Sequence, residues 1–77
     1  MSKKSLRRER FENVAAKRTQ KLLDMLDTLG NCANRNNYEY TDEDIRKMFT
    51  AIESKTKNIK ALFGNAISKE EKNKFKF

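Results

Sequence analysis

The 77-residue sequence predicts an all-α fold: an antiparallel hairpin of two helices, at about residues 5–29 and 42–63, with a short third helix at the C-terminus. Three observations carry that expectation. The chain has no proline and only two glycines, Gly30 and Gly64, so long helices run without internal breakers. Its apolar residues recur at three- and four-residue steps, the period that lines up one face of a helix. Helix-start residues precede each periodic run. With 36% hydrophobic and 38% charged residues the composition approaches that of disordered chains, so it is the patterning that argues for a fold.

The first helix follows from Phe11, Val14, Ala15, Leu22, Met25, Leu26 and Leu29, which share one stripe. Arg18 interrupts that stripe and reads as a boundary residue whose aliphatic stem lies on apolar surface while its guanidinium reaches water or a carboxylate. Ser5 is placed to cap the start, and Gly30 suits the left-handed position that follows a helix end.

The connector, residues 30–40, is longer than a minimal turn between helices and contains four asparagines. Asparagine tolerates left-handed backbone and bonds to neighbouring main chain, so an ordered turn tied by its own side chains is the first reading. The functional alternative is a partner-recognition loop built from Asn34, Arg35, Asn36, Asn37 and Tyr38.

The second helix has stronger local signals. Thr41 and Asp44 have the spacing of a capping box, Asp42, Glu43 and Asp44 put negative charge at the positive end of the helix dipole, and Tyr40 with Ile45 has the spacing of a hydrophobic staple. Ile45, Met48, Phe49, Ile52, Ile59, Leu62 and Phe63 form its stripe, interrupted by Lys55 and Thr56 and expected to stop at Gly64. Lys57 and Lys60 would then complement the C-terminal dipole. Beyond Gly64 the pattern weakens. Ser68 to Glu71 reads as another capping box, and Ala66, Ile67, Phe75 and Phe77 are available to a short third helix or tail that packs back.

The resulting organisation is a basic tail at residues 1–4, a helical hairpin domain at 5–64 and a basic tail or short helix at 65–77. A chain this small buries a limited fraction of its surface, so a homodimer is a natural way to complete its core.

Charge is distributed unevenly along this plan: residues 1–21 sum to +6, residues 22–54 to −4 and residues 55–77 to +5, within a net charge of +7. If the chain folds back once, the basic ends meet and form a pole suited to nucleic acid or an acidic protein surface. Lys3, Lys4, Arg7, Arg8 and Arg10, with Lys55, Lys57 and Lys60, are the residues expected to pair with phosphates. No set of side chains has the look of a base reader.

Catalysis is not expected. The chain has no histidine, its single cysteine, Cys32, has Arg35 nearby but no activating base, and Asp24 and Asp27 are spaced like ordinary solvated acids. No cofactor or metal is implied. One cysteine excludes an intramolecular disulfide and fits a reducing cytoplasm, and no apolar run is long enough for a signal or a membrane span.

The stretch from Leu29 to Thr41, with Lys17 to Gln20 and Lys21 before it and Ile45 to Ile52 after it, resembles a group of small, uncharacterised proteins encoded on conjugative transposons and prophages of Gram-positive bacteria. The likeness covers roughly residues 10–63, the loop being its most distinctive part. It implies a cytoplasmic bacterial accessory protein and carries no catalytic or binding residues across. The function expected is that of a small accessory or regulatory protein of a mobile element that binds nucleic acid through its basic pole. The rival expectation is an adaptor or inhibitor that docks on another protein through a helix face or the Asn/Tyr loop, with the basic residues serving solubility.

Overall fold

The computed structural model describes residues 5–73, with side chains through residue 70, and the described residues contain helices and no strand. The element order is α1 (Leu6–Gly30), a 3₁₀ turn (Asn31–Ala33) and α2 (Asp42–Asn73). The chain divides into two units, one ending at Glu39 and the other beginning at Tyr40.

In the first unit, Ser5 caps α1 as expected. Its backbone is extended, its hydroxyl accepts from the Arg8 N–H at 3.0 Å, and its carbonyl accepts from Glu9 N at 3.0 Å. The far end differs from the expectation. Gly30 is the last residue of α1, with φ −58° and ψ −27°, and no described residue has positive φ. The helix instead tightens into the 3₁₀ turn, where the Asn34 N–H reaches the Asn31 carbonyl at 3.5 Å. Such tightening satisfies carbonyls that a left-handed glycine would otherwise serve.

The loop that follows is anchored at Asn34. Asn34 Oδ1 accepts from Asn36 N at 3.0 Å, while the Asn34 carbonyl accepts from Asn37 N at 3.1 Å and Tyr38 N at 3.0 Å. An asparagine that folds the chain over its own side chain is an Asx turn, and it needs no left-handed backbone.

In the second unit, the capping box is reciprocal. Thr41 N donates to Asp44 Oδ2 at 2.9 Å and Asp44 N donates to Thr41 Oγ1 at 3.2 Å. The Thr41 carbonyl accepts from Ile45 N at 3.2 Å, and Tyr40 and Ile45, at the staple positions, are both half-buried.

α2 then runs for 32 residues, through Gly64. The expected stop at residue 63 is therefore corrected: Gly64 is interior to α2, and Ser68 to Glu71 continue that helix instead of capping a third one. Glycine inside a helix costs only about 1 kcal/mol relative to alanine, and although Asn65 follows it, no proline blocks the helix from continuing. Phe75 and Phe77, offered for a packed-back tail, lie outside the described residues. The longer helix also removes the dipole argument for Lys57 and Lys60, which sit more than three turns from Asn73, whereas the dipole acts within the last turn.

No described residue is fully buried. On α1, Ala15 and Leu29 are half-buried and Phe11, Leu22 and Met25 are exposed; on α2, Ile45, Met48 and Ile52 are half-buried and Ile59, Phe63 and Ile67 are exposed. Thr56, at an apolar-stripe position, donates its hydroxyl to the Ile52 carbonyl at 2.8 Å, so its polar atom is satisfied within the helix.

Candidate nucleic-acid interface

The basic residues expected to meet phosphates fall into three local groups. Lys3 and Lys4 lie outside the described residues. Arg7, Arg8 and Arg10 occupy the first turn and a half of α1, directly after the Ser5 cap. Arg7 and Arg10 are one turn apart and line a shallow hollow with Phe11 and Val14. Arg8 turns the other way. Its Nε lies 3.9 Å from Glu12 Oε1 and its guanidinium carbon 5.5 Å from the centroid of the Phe11 ring, so part of its charge is answered within the helix.

The lysines of α2 are less focused. Lys57 and Lys60 are one turn apart on one side of the helix, and Lys55, which interrupts the apolar stripe, projects from a different side. Near the start of α2, Lys47 Nζ lies 3.7 Å from Glu43 Oε1. Glu43 and Lys47 share an open depression with Arg46, Thr50, Ala51 and Ser54, a surface of mixed sign.

α1 also presents cations outside the expected set. Lys17, Arg18 and Lys21 are exposed, and among the described residues neither they nor Arg7 and Arg10 form an ion pair with a carboxylate. Arg10, Lys17 and Lys21, at steps of seven and four, fall on one line of a 3.6-residue helix, with Arg7 one turn ahead. Residues 13–23 hold no acid. Asp24 and Asp27 follow the end of the row, and Asp24 is engaged at both carboxylate and carbonyl, accepting from Gln20 Nε2 at 3.0 Å and Thr28 Oγ1 at 3.1 Å. The spacing of Lys17 and Lys21 was visible in the sequence. Reading Arg18 as a flaw in an apolar stripe concealed that its neighbours continue a basic one.

The partner-loop residues are gathered by Asn34, which holds Asn36, Asn37 and Tyr38 on its own oxygens; the Tyr38 side chain is 52% exposed and Arg35 is exposed beside it. Cys32 is exposed in the 3₁₀ turn. No cluster of three or more acidic or cysteine side chains suited to a metal ion occurs among the described residues, and no helix among them is long and apolar enough to cross a membrane. Comparison with protein-family models, with curated proteins and with solved structures found no match.

Proposed function

We propose that this chain is a small nucleic-acid-binding accessory or regulatory protein of a bacterial mobile element, acting by binding and not by catalysis. The observation that carries the reading is the pair Arg7 and Arg10, exposed on one side of a capped helix beside an apolar hollow and unanswered by any described carboxylate. Guanidinium groups so placed suit phosphate oxygens.

The proposal includes the antiparallel hairpin. Helices in proteins owe most of their stability to covering an amphipathic face, and the stripes of both α1 and α2 have exposed members that call for cover. The two stripes also mirror each other. Read backward, α1 steps from Leu29 to Met25, Leu22, Arg18, Ala15 and Phe11; read forward, α2 steps from Ile45 to Phe49, Ile52, Thr56, Ile59 and Phe63. Steps of four meet steps of four and steps of three meet steps of three. Antiparallel pairing in this register places the one polar position of each series, Arg18 and Thr56, in the same layer, and a polar layer is a known device for setting register. It also brings the segments carrying Arg7, Arg10, Lys57 and Lys60 toward one end, giving the basic pole. A homodimer would cover what remains of the two stripes.

The test is an anisotropy titration of the full chain with DNA and RNA at low salt. Binding that weakens steeply as salt rises is the expected result, and absence of binding to both polymers overturns the reading. A second reading, a protein-interaction module, is favoured by the Asn34-anchored loop that displays Tyr38. A protein partner retained in a pull-down after nuclease treatment, from a chain that fails the titration, would establish it in place of the first.

A further inference from the structure

α1 contains electrostatic choices that work against its own helix. Arg7 and Arg8 share the first turn with Glu9, where the dipole favours anions, and the last turn has no basic residue, where it favours cations. Lys17 and Lys21 are a like-charge pair one turn apart, an arrangement that destabilises isolated helices. What these placements achieve is a row of cations, interrupted between Arg10 and Lys17 by Val14. From Arg7 through Arg10 and Lys17 to Lys21 the cations run for about 21 Å along one side of the helix, at 1.5 Å per residue, and no acid stands between residues 13 and 23.

We infer that this row on α1 is a docking surface for the phosphate backbone of duplex nucleic acid; the inference rests on the nucleic-acid reading above and extends its site from the helix start to the helix side. A straight, rigid line of charge matches a backbone whose phosphates are held at regular spacing by base pairing. Proteins that grip single strands rely on aromatic platforms for base stacking. The row offers none beyond Phe11, whose ring already lies under the Arg8 guanidinium. Nor does it offer a base reader: Gln20, the one amide between Lys17 and Lys21, is bonded to Asp24. The surface therefore binds by charge and shape, without regard to sequence.

The experiment compares the full chain with Lys17→Gln/Lys21→Gln and with Arg46→Gln/Lys47→Gln, a control of equal charge loss on the mixed-sign surface of α2, on one fluorescent duplex across a salt series. Circular dichroism confirms that helix content is retained, as the glutamine replacements are good helix formers. If both lysines meet phosphates, the slope of log affinity against log salt falls in magnitude by about 1.8 in the α1 variant, and affinity at low salt falls by about tenfold or more. The α2 variant changes less. A parent chain that binds duplex while Lys17→Gln/Lys21→Gln keeps the parental slope overturns this inference and leaves the broader reading intact. Tighter binding to a single strand than to duplex overturns the choice of ligand. A parent chain that binds no nucleic acid overturns both. Running the series on duplex DNA and duplex RNA identifies which source of phosphates is preferred, and a reduced slope on either upholds the row.

Discussion

The two helices of this chain treat charge in opposite ways. α2 begins with Asp42, Glu43 and Asp44 at its positive dipole end, and places Asp42 four residues before Arg46, Glu43 before Lys47 and Glu53 before Lys57. Each arrangement stabilises a helix by a few tenths of a kcal/mol. α1 sets Arg7 and Arg8 against a single acid, Glu9, in its first turn and places Lys17 four residues before Lys21. Arg8–Glu12 is the ion pair that α1 forms among the described residues. The difference teaches that the charges of α2 support its own helix, whereas those of α1 largely do not, which is the layout that the proposed docking on phosphates calls for.

The largest expected effect tests what the two helices share. Leu22→Asp in α1 and Ile52→Asp in α2 should each destabilise the protein by about 3 kcal/mol if their stripes face each other, because each puts a charge into a covered apolar layer. Thermal unfolding reads the loss, and a melting temperature unchanged in both variants would sink the hairpin. A second probe uses proximity. In a Cys32→Ser background, Ala15→Cys with Ile59→Cys should give an oxidised species that remains a monomer by sedimentation if the proposed mirrored register makes those residues layer partners.

Binding sharpens the contrast further. Arg7→Gln with Arg10→Gln should weaken polyanion affinity at low salt by about tenfold, whereas Asn34→Ala in the loop should leave it within twofold; equal losses would break the assignment of binding to α1. The caps make a finer comparison. Thr41→Ala removes one partner of a reciprocal box and should cost about 1 kcal/mol, against roughly 0.5–1 kcal/mol for Ser5→Ala, whose side chain makes a single bond. The smallest effect is a gain. Neither Gly30 nor Gly64 has any atom within 4 Å of an added Cβ, and neither has positive φ, so alanine at each should stabilise the protein by about 0.5–1 kcal/mol in chemical denaturation.

Where the fold was legible, short-range chemistry made it so. Ser5, Thr41 and Asp44 announce helix starts because a side-chain oxygen three residues from an orphan N–H, before it at Ser5 and Thr41 and after it at Asp44, has little else to bind. The loop was legible as an ordered turn, though asparagine composition alone did not single out Asn34 or show that right-handed and extended backbone would suffice. Glycine misled at both positions. Its preference for left-handed caps is a statistical tendency set against a penalty of about 1 kcal/mol, and neighbouring helical residues outweigh it readily. The basic row on α1 was in plain view at steps of seven and four but runs beside the apolar stripe, whose three- and four-residue period is the stronger signal.

By itself, then, the sequence determined helix content, the two starting caps, the stripes and the order of charge, all of which depend on residues within about one turn of each other. The structure decided what depends on competition between alternatives: that α1 closes through a 3₁₀ turn, that Asn34 anchors the loop, and that α2 continues through Gly64 to Asn73. Each of those outcomes is the balance of hydrogen bonds formed in one backbone path against those available in another. Residue identity names the contenders, and the folded backbone shows which path satisfies more of its groups.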